Sequence, residues 1–200
     1  MSTRKATLIA GIPAENRALF HRVRFEAGDP AAWIKFDLDG PSSTHFIVRD
    51  IEADRARQSV PVDSVASPPD YEPAGGLSGD RITATAQAVV ECLRRQEVQH
   101  VTTDRTLPFV FAWHLQQAGI ELQYCEELGV LERRTKSEQE IEWLAEAQRI
   151  TEDAMAMTLE LIANADANAA GQLLVAGDIL TSERVREGIA AYLTSRGYTL

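Results

Sequence analysis

Between residues 14 and 24 apolar side chains recur at helical spacing (Ala18, Leu19, Val23), and Ala27-Gly28-Asp29-Pro30 breaks the pattern, which predicts a short first helix. Trp33-Ile34-Lys35-Phe36-Asp37-Leu38 alternates, Asp39-Gly40 has the chemistry of a tight turn, and 44–51 is rich in β-branched and aromatic residues. Together they predict a β-hairpin. A charged, one-sided stretch over 52–58 predicts a helix, and 60–65 leads through Ser67-Pro68-Pro69 into a long loop at 71–76. Asp80 can cap the next helix, whose apolar face is Ile82, Ala86, Val89, Val90 and Leu93 and which ends near Gln96. Residues 100–104 read as a strand, 108–117 as a helix closed by Gly119, and 120–125 as another strand. Two strand-helix-strand passages favour a sheet with parallel members covered by helices, because parallel neighbours need a crossover.

The character changes at Gly129-Val130-Leu131-Glu132-Arg133-Arg134. Ser137-x-x-Glu140 has the form of a capping box, in which the Ser hydroxyl accepts an orphan first-turn amide proton and the Glu reaches back to the cap amide. A long helix should follow. Ile141, Leu144, Ala147, Thr151, Ala154, Met155, Leu159 and Ile162 hold one face through Asn164, a length of roughly 40 Å at about 1.5 Å per residue. Burying its larger side chains would contribute about 1.5–3 kcal/mol each, so the face needs a partner. A second helix is predicted after Thr181 or Ser182, with Glu183 in its first turn and Gly197 as its stop.

Composition narrows the class. With 200 residues, 44% hydrophobic and 25% charged, the chain is globular, with material for one ordinary core and part of a second. Its net charge of −10 is spread over both parts, since 1–133 carry 14 basic and 19 acidic side chains and 134–200 carry 6 and 11. Without a Lys/Arg stripe no nucleic-acid partner is expected, and the same charge disfavours anionic lipid. Cys92 and Cys125 lack the spacing of a zinc site and read as free thiols, in keeping with a reducing cytoplasm. The apolar run from Ala6 to Ile12 is short and followed by Pro13, Glu15 and Arg17, so neither a secretory signal nor a membrane span is expected.

The candidate chemical groups are sparse. Asp39 and Asp50 are eleven apart, a spacing that invites assignment as a bridging metal pair, but they fall at the turn and far end of the predicted hairpin and no following His and two Glu complete a set. His21, His45, His100 and His114 share no His-x-x-x-His spacing, although His114 beside Trp113 could line a pocket. Gly75-Gly76-Leu77-Ser78-Gly79-Asp80 outlines a phosphate cradle without the Gly-Lys-Ser/Thr ending, and Asp80 would repel phosphate. Asp37 and Asp50, with Asp104 or Glu91, could imitate a nuclease's acidic cluster, yet no basic groove accompanies them. No Gly-x-Ser-x-Gly elbow occurs.

The run from Leu131 to Met155, LERRTKSEQEIEWLAEAQRITEDAM, resembles the domain junction of creatinases, prolidases and Xaa-Pro aminopeptidases, and Leu180-Thr181-Ser182-Glu183-Arg184-Val185 with Ser195-Arg196-Gly197 is similar to the helix that follows it. The resemblance implies an α/β fold: residues 1–133 as the N-terminal creatinase/prolidase-type domain, with a ribonuclease-H-like mixed sheet flanked by helices, and 134–200 as the opening helical pair of a truncated pita-bread catalytic domain. It implies a metallopeptidase, of the Xaa-Pro dipeptidase or aminopeptidase P kind, in which water activated by a divalent metal (Mn, Co or Zn) hydrolyses the bond before proline. The family's two Asp, one His and two Glu ligands lie downstream of the second helix, so this chain is expected to hold no catalytic residue and no metal, and to be inactive alone. It further implies a homodimer acting on peptides, in which the first domain assists dimerisation and substrate access. Where the family often carries Tyr-Leu-Thr-Gly-Phe, this chain has Arg24-Phe25-Glu26-Ala27-Gly28, so Arg24, Phe25 and the aromatic-flanked His114 are the expected substrate-proximal residues. A creatinase-like C–N hydrolase and a non-catalytic binding or dimerisation module are the alternatives.

Overall fold

The computed structural model describes residues 4–37 and 41–199, and the chain divides into two compact units, 1–135 and 136–200. The first unit is organised by a strand that the sequence pattern conceals. β1 (Lys5–Gly11) pairs antiparallel with β2 (Ala31–Asp37) on one side and parallel with β5 (His100–Thr103) on the other. Ala6, Leu8 and Ala10 enter one core and Ile9 the other, so both faces of the strand are covered. A strand buried on both faces reads as a continuous apolar run, without the alternation that would mark it.

The sheet is completed by β3 (Ser43–Ile47), β4 (Ser64–Ala66) and β6 (Glu121–Tyr124), in the order β4-β3-β2-β1-β5-β6. β3 runs antiparallel to β2, as the hairpin pattern predicts, while β4 lies parallel to β3 and β6 parallel to β5. The Asp39-Gly40 turn lies outside the described residues. The expected second strand over 44–51 is shorter than predicted, because Asp50 and Ile51 open α2 (Asp50–Ser59). Asp50 and Glu52 put negative charge at the positive end of that helix, and Ile51 is left exposed.

Helices cover the two faces separately. α1 (Arg17–Val23) and α2 pack Ala18, Leu19, Val23 and Ala56 with Phe25, Trp33, Phe46 and Val48. On the other face α3 (Arg81–Arg95) and α4 (Phe109–Gln117) bring Ala86, Val89, Leu93, Phe111 and Leu115 against Leu8, Ile34 and Phe36. Asp80 caps α3 by accepting from the Thr83 amide, as its position predicts. A 3-10 turn (Pro68–Tyr71) precedes α3, and the short α5 (Leu131–Arg134) closes the unit. The mixed sheet with flanking helices is the α/β architecture expected from the sequence.

In the second unit α6 (Glu138–Ala163) starts from the capping box, with Ser137 and Glu140 satisfying each other's backbone amides. Three short strands unmarked in the sequence, β7 (Asp166–Ala167), β8 (Leu173–Val175) and β9 (Asp178–Ile179), form an antiparallel ladder. Their turns hold Gly171 and Gly177 at φ +77° and +85°, conformations that suit glycine. α7 (Ser182–Ser195) follows, capped by Thr181. On α6 Ile141, Leu144, Met155 and Leu159 remain 55–64% exposed. Among the described residues no helix is long and apolar enough to cross a membrane.

Candidate functional site

The two parallel strands β1 and β5 end side by side, and the chain leaves them in opposite directions, to α1 on one face of the sheet and to α4 on the other. Adjacent strands that diverge in this way leave a crevice beyond their carboxyl ends. A cavity of about 580 Å³ occupies it, walled by Ile12, Pro30, Ile82, Pro108 and Phe111, with Glu15, Arg17, Thr106 and Arg133 as its charged and hydroxyl groups.

Asn16 lines the cavity and ties its two sides together. Its Oδ1 accepts from the amides of Ala18 and Leu19 (3.0 and 3.1 Å), capping α1, while Nδ2 donates to Ala10 O (3.1 Å) and Thr106 Oγ1 (2.8 Å). The Thr106 hydroxyl in turn donates a hydrogen bond to Asp104 Oδ2 at 2.7 Å. Every polar position of Asn16 is thereby used. Gly11, at φ +148°, has room for no side chain without crowding, since a Cβ would stand 3.0 Å from Asn16 Nδ2.

The opposite wall is clamped by charge. Asp29, next to Pro30, accepts from Arg49 at 3.1 Å and from Arg81 at 2.9 Å. The Arg49 guanidinium foremost, and Arg81 after it, hold the Asp29 carboxyl below its ordinary range against the opposing effect of burial. This pair ties Pro30 to the start of α3, where Ile82 forms the same wall.

The expected substrate-proximal residues Arg24, Phe25 and His114 are not among the residues that line this cavity. Arg24 is the exposed, left-handed residue (φ 47°) that ends α1, its amide donating to Phe20 O. Phe25 is a core side chain, edge-on to Phe46 at 6.0 Å with the Arg55 guanidinium 3.9 Å above its ring. His114 lies on the other face of the sheet, edge-on to Trp113 at 4.7 Å, beside a cavity of about 200 Å³ with Gln87, Glu91 and Arg94.

The acidic residues are likewise dispersed. Asp37 stands opposite Lys5 at the start of β1, whereas Asp104 follows Thr103, which stands opposite Leu8 near its end. Glu91 pairs with Arg95 and Asp50 with Arg49. Asp39 lies outside the described residues, and among those described no group of three or more His, Cys, Asp or Glu could hold a metal ion. Residues 75–80 serve as a loop and a helix cap. Cys92 and Cys125 are both free thiols, the first buried and the second partly so.

With this geometry in view, comparison with solved structures defines the class: the fold is that of the front part of prolidases and Xaa-Pro aminopeptidases. The prolidase of Pyrococcus horikoshii superposes with a TM-score of 0.63 at 14% identity, over 96% of this chain and 44% of that one. The Xaa-Pro dipeptidase of Bacillus anthracis gives 0.65 at 12%, over 96% and 44%, and the X-Pro aminopeptidase of Thermotoga maritima 0.65 at 15%, over 96% and 46%. The chain therefore spans somewhat less than half the length of the structures it matches. No protein-family model and no curated protein sequence matches it.

Proposed function

We propose that this chain is the N-terminal region of a metal-dependent peptidase that hydrolyses peptide bonds before proline, as a dipeptidase or an aminopeptidase P-like enzyme. The observation that carries the reading is a fold likeness running over 96% of this chain while taking in only 44% of a prolidase. In this reading 1–133 form the N-terminal domain and 134–200 open the catalytic one. The exposed apolar face of α6 supports it, because Ile141, Leu144, Met155 and Leu159 in water forgo the stabilisation that a covering catalytic sheet would provide.

The divalent metal this chemistry requires has no fitting ligand set among the described residues, so in this reading its ligands come from sequence that follows the second helix. The role of this region is then dimerisation and the shaping of substrate access, in a cytoplasmic homodimer, with Arg24, Phe25 and His114 as the substrate-proximal candidates. A second reading is a non-catalytic binding module, favoured by a cavity completed by residues 11–133 alone. An assay of Xaa-Pro dipeptides and creatine with Mn²⁺ or Co²⁺, on this chain and on one extended by its downstream gene sequence, separates the readings. Dipeptide hydrolysis by the longer chain alone supports the first, creatine turnover moves it to a C–N hydrolase, and no turnover in either supports the second.

A further inference from the structure

The sheet of the first unit ends at β6, a strand whose outer edge is open. Among the described residues β6 pairs with β5 alone. The amides of Glu121 and Cys125 donate inward, to Gln99 O at 2.8 Å and Thr103 O at 2.9 Å. Backbone groups alternate in direction along a strand, so the N–H and C=O of Leu122 and Tyr124 point away from the sheet, where no described residue meets them. The groups on either side are occupied: the Ile120 amide donates to Leu115 O at 3.0 Å, and the Glu126 carbonyl accepts from Arg105 Nη2 at 3.0 Å. The open edge is therefore confined to Leu122 and Tyr124.

Such an edge matches itself. A two-fold axis at Gln123 sets two β6 strands antiparallel, with Leu122 opposite the second copy's Tyr124 and Tyr124 opposite its Leu122. Residues paired in this way exchange both of their backbone hydrogen bonds, so every open group on both strands is used. Registers displaced by two residues do worse. One calls on the Ile120 amide, which is taken, and the other on the Glu126 carbonyl while setting Glu121 against the second copy's Glu127. The side chains agree with the central register. Leu122 packs toward the core under α3 and α4, and Tyr124, on the same face, is 58% exposed, so each ring would lie against the second copy's Leu122. On the opposite face the exposed Glu121 would meet Cys125 of the second copy, with no like charges opposed.

We propose that β6 is the homodimer edge of this chain, two copies joining about Gln123 so that their six-stranded sheets become one. The inference deepens the homodimer of the reading above and rests on it. Its test reads assembly and no turnover, so failure here and failure of the peptidase assay are separate results. In sedimentation equilibrium of the whole chain, the wild type should self-associate. Gln123→Lys, at an exposed position that leaves the circular dichroism unchanged, should dissociate at least tenfold more readily, because it sets two ammonium groups face to face across the axis. In a Cys125→Ser background, Gln123→Cys should oxidise to a disulfide-linked dimer, since residues across that axis have Cα atoms about 4.5 Å apart. Ser59→Cys in the same background, exposed on α2, should not cross-link. A monomer at every concentration overturns the proposal, as does equal cross-linking at 59 and 123. A dimer as tight in Gln123→Lys as in the wild type also overturns it, and is the result expected of association through the apolar face of α6.

Discussion

Asn16 Nδ2 donates to Thr106 Oγ1 across 2.8 Å, joining residues ninety positions apart and locking the exit of β1 to the exit of β5. The same side chain caps α1 and reaches Ala10 O. Asn16→Ala removes cap and ties together and should cost about 1–3 kcal/mol in urea unfolding. Asn16→Asp keeps the acceptor for the Ala18 and Leu19 amides and should lose less. If both variants unfold at the wild-type midpoint, the tie contributes nothing.

Gly129 packs closely against the start of α1. Its φ is +70°, and a Cβ there would stand 2.7 Å from the Ala18 Cβ. Gly129→Ala should therefore destabilise by about 1–3 kcal/mol, through backbone strain and overpacking at once. Combining it with Ala18→Gly relieves the clash and leaves the strain, so the double variant should fall between Gly129→Ala and Ala18→Gly combined additively and full recovery. Strict additivity in denaturant titrations would show that the two sites do not meet.

His45 should make the first unit sensitive to mild acid. Burial pushes its imidazole below the ordinary value, with Asp63 opposing in part, and Nδ1 has no hydrogen-bond partner among the described residues. A histidine whose folded pKa is depressed takes up its proton at lower pH in the fold than in the unfolded chain. Its stability contribution is complete above the unfolded value of about 6.5, declines as pH falls through that value, and levels off below the folded pKa. His45→Phe, packing on Phe36 where the imidazole now lies edge-on at 4.9 Å, should flatten the loss of stability between about pH 7 and pH 5. Parallel pH profiles for variant and wild type would assign the acid sensitivity to other groups.

The two cysteines should differ in reactivity. Burial pushes the Cys92 thiol up to about 11, and its side chain is fully enclosed beside α3's other core residues. Cys125, after β6, is partly exposed. A thiol reagent at pH 8 should label one equivalent quickly and the second only as the fold opens, because the thiolate is the reacting species. Mass mapping that finds Cys92 labelled first would contradict the packing described above.

Much of this architecture could be read from local chemistry. Asp80 and the Ser137/Glu140 box announce the starts of α3 and α6, because a cap needs only residues three apart. Gly119 and Gly197, at φ +76° and +82°, mark where helices stop. Local pattern also misled. Asp50 and Ile51 extend a β-branched run yet start a helix, and β1 shows no alternation because neither of its faces meets water.

The cavity was not legible at all. Asn16 and Thr106 are ordinary polar residues in the sequence, and Asp104 stands out there only as a possible member of a dispersed acidic cluster. By itself the sequence determined where the capped helices begin, where glycine stops them, and that the α6 face is apolar enough to need a partner, since these follow from neighbours within a few residues. Only the tertiary structure decided that β1 lies inside the sheet and that α1 and α4 leave adjacent strands on opposite faces. Strand pairing is a long-range choice, made by burying two cores at once, and the crevice exists only as its result.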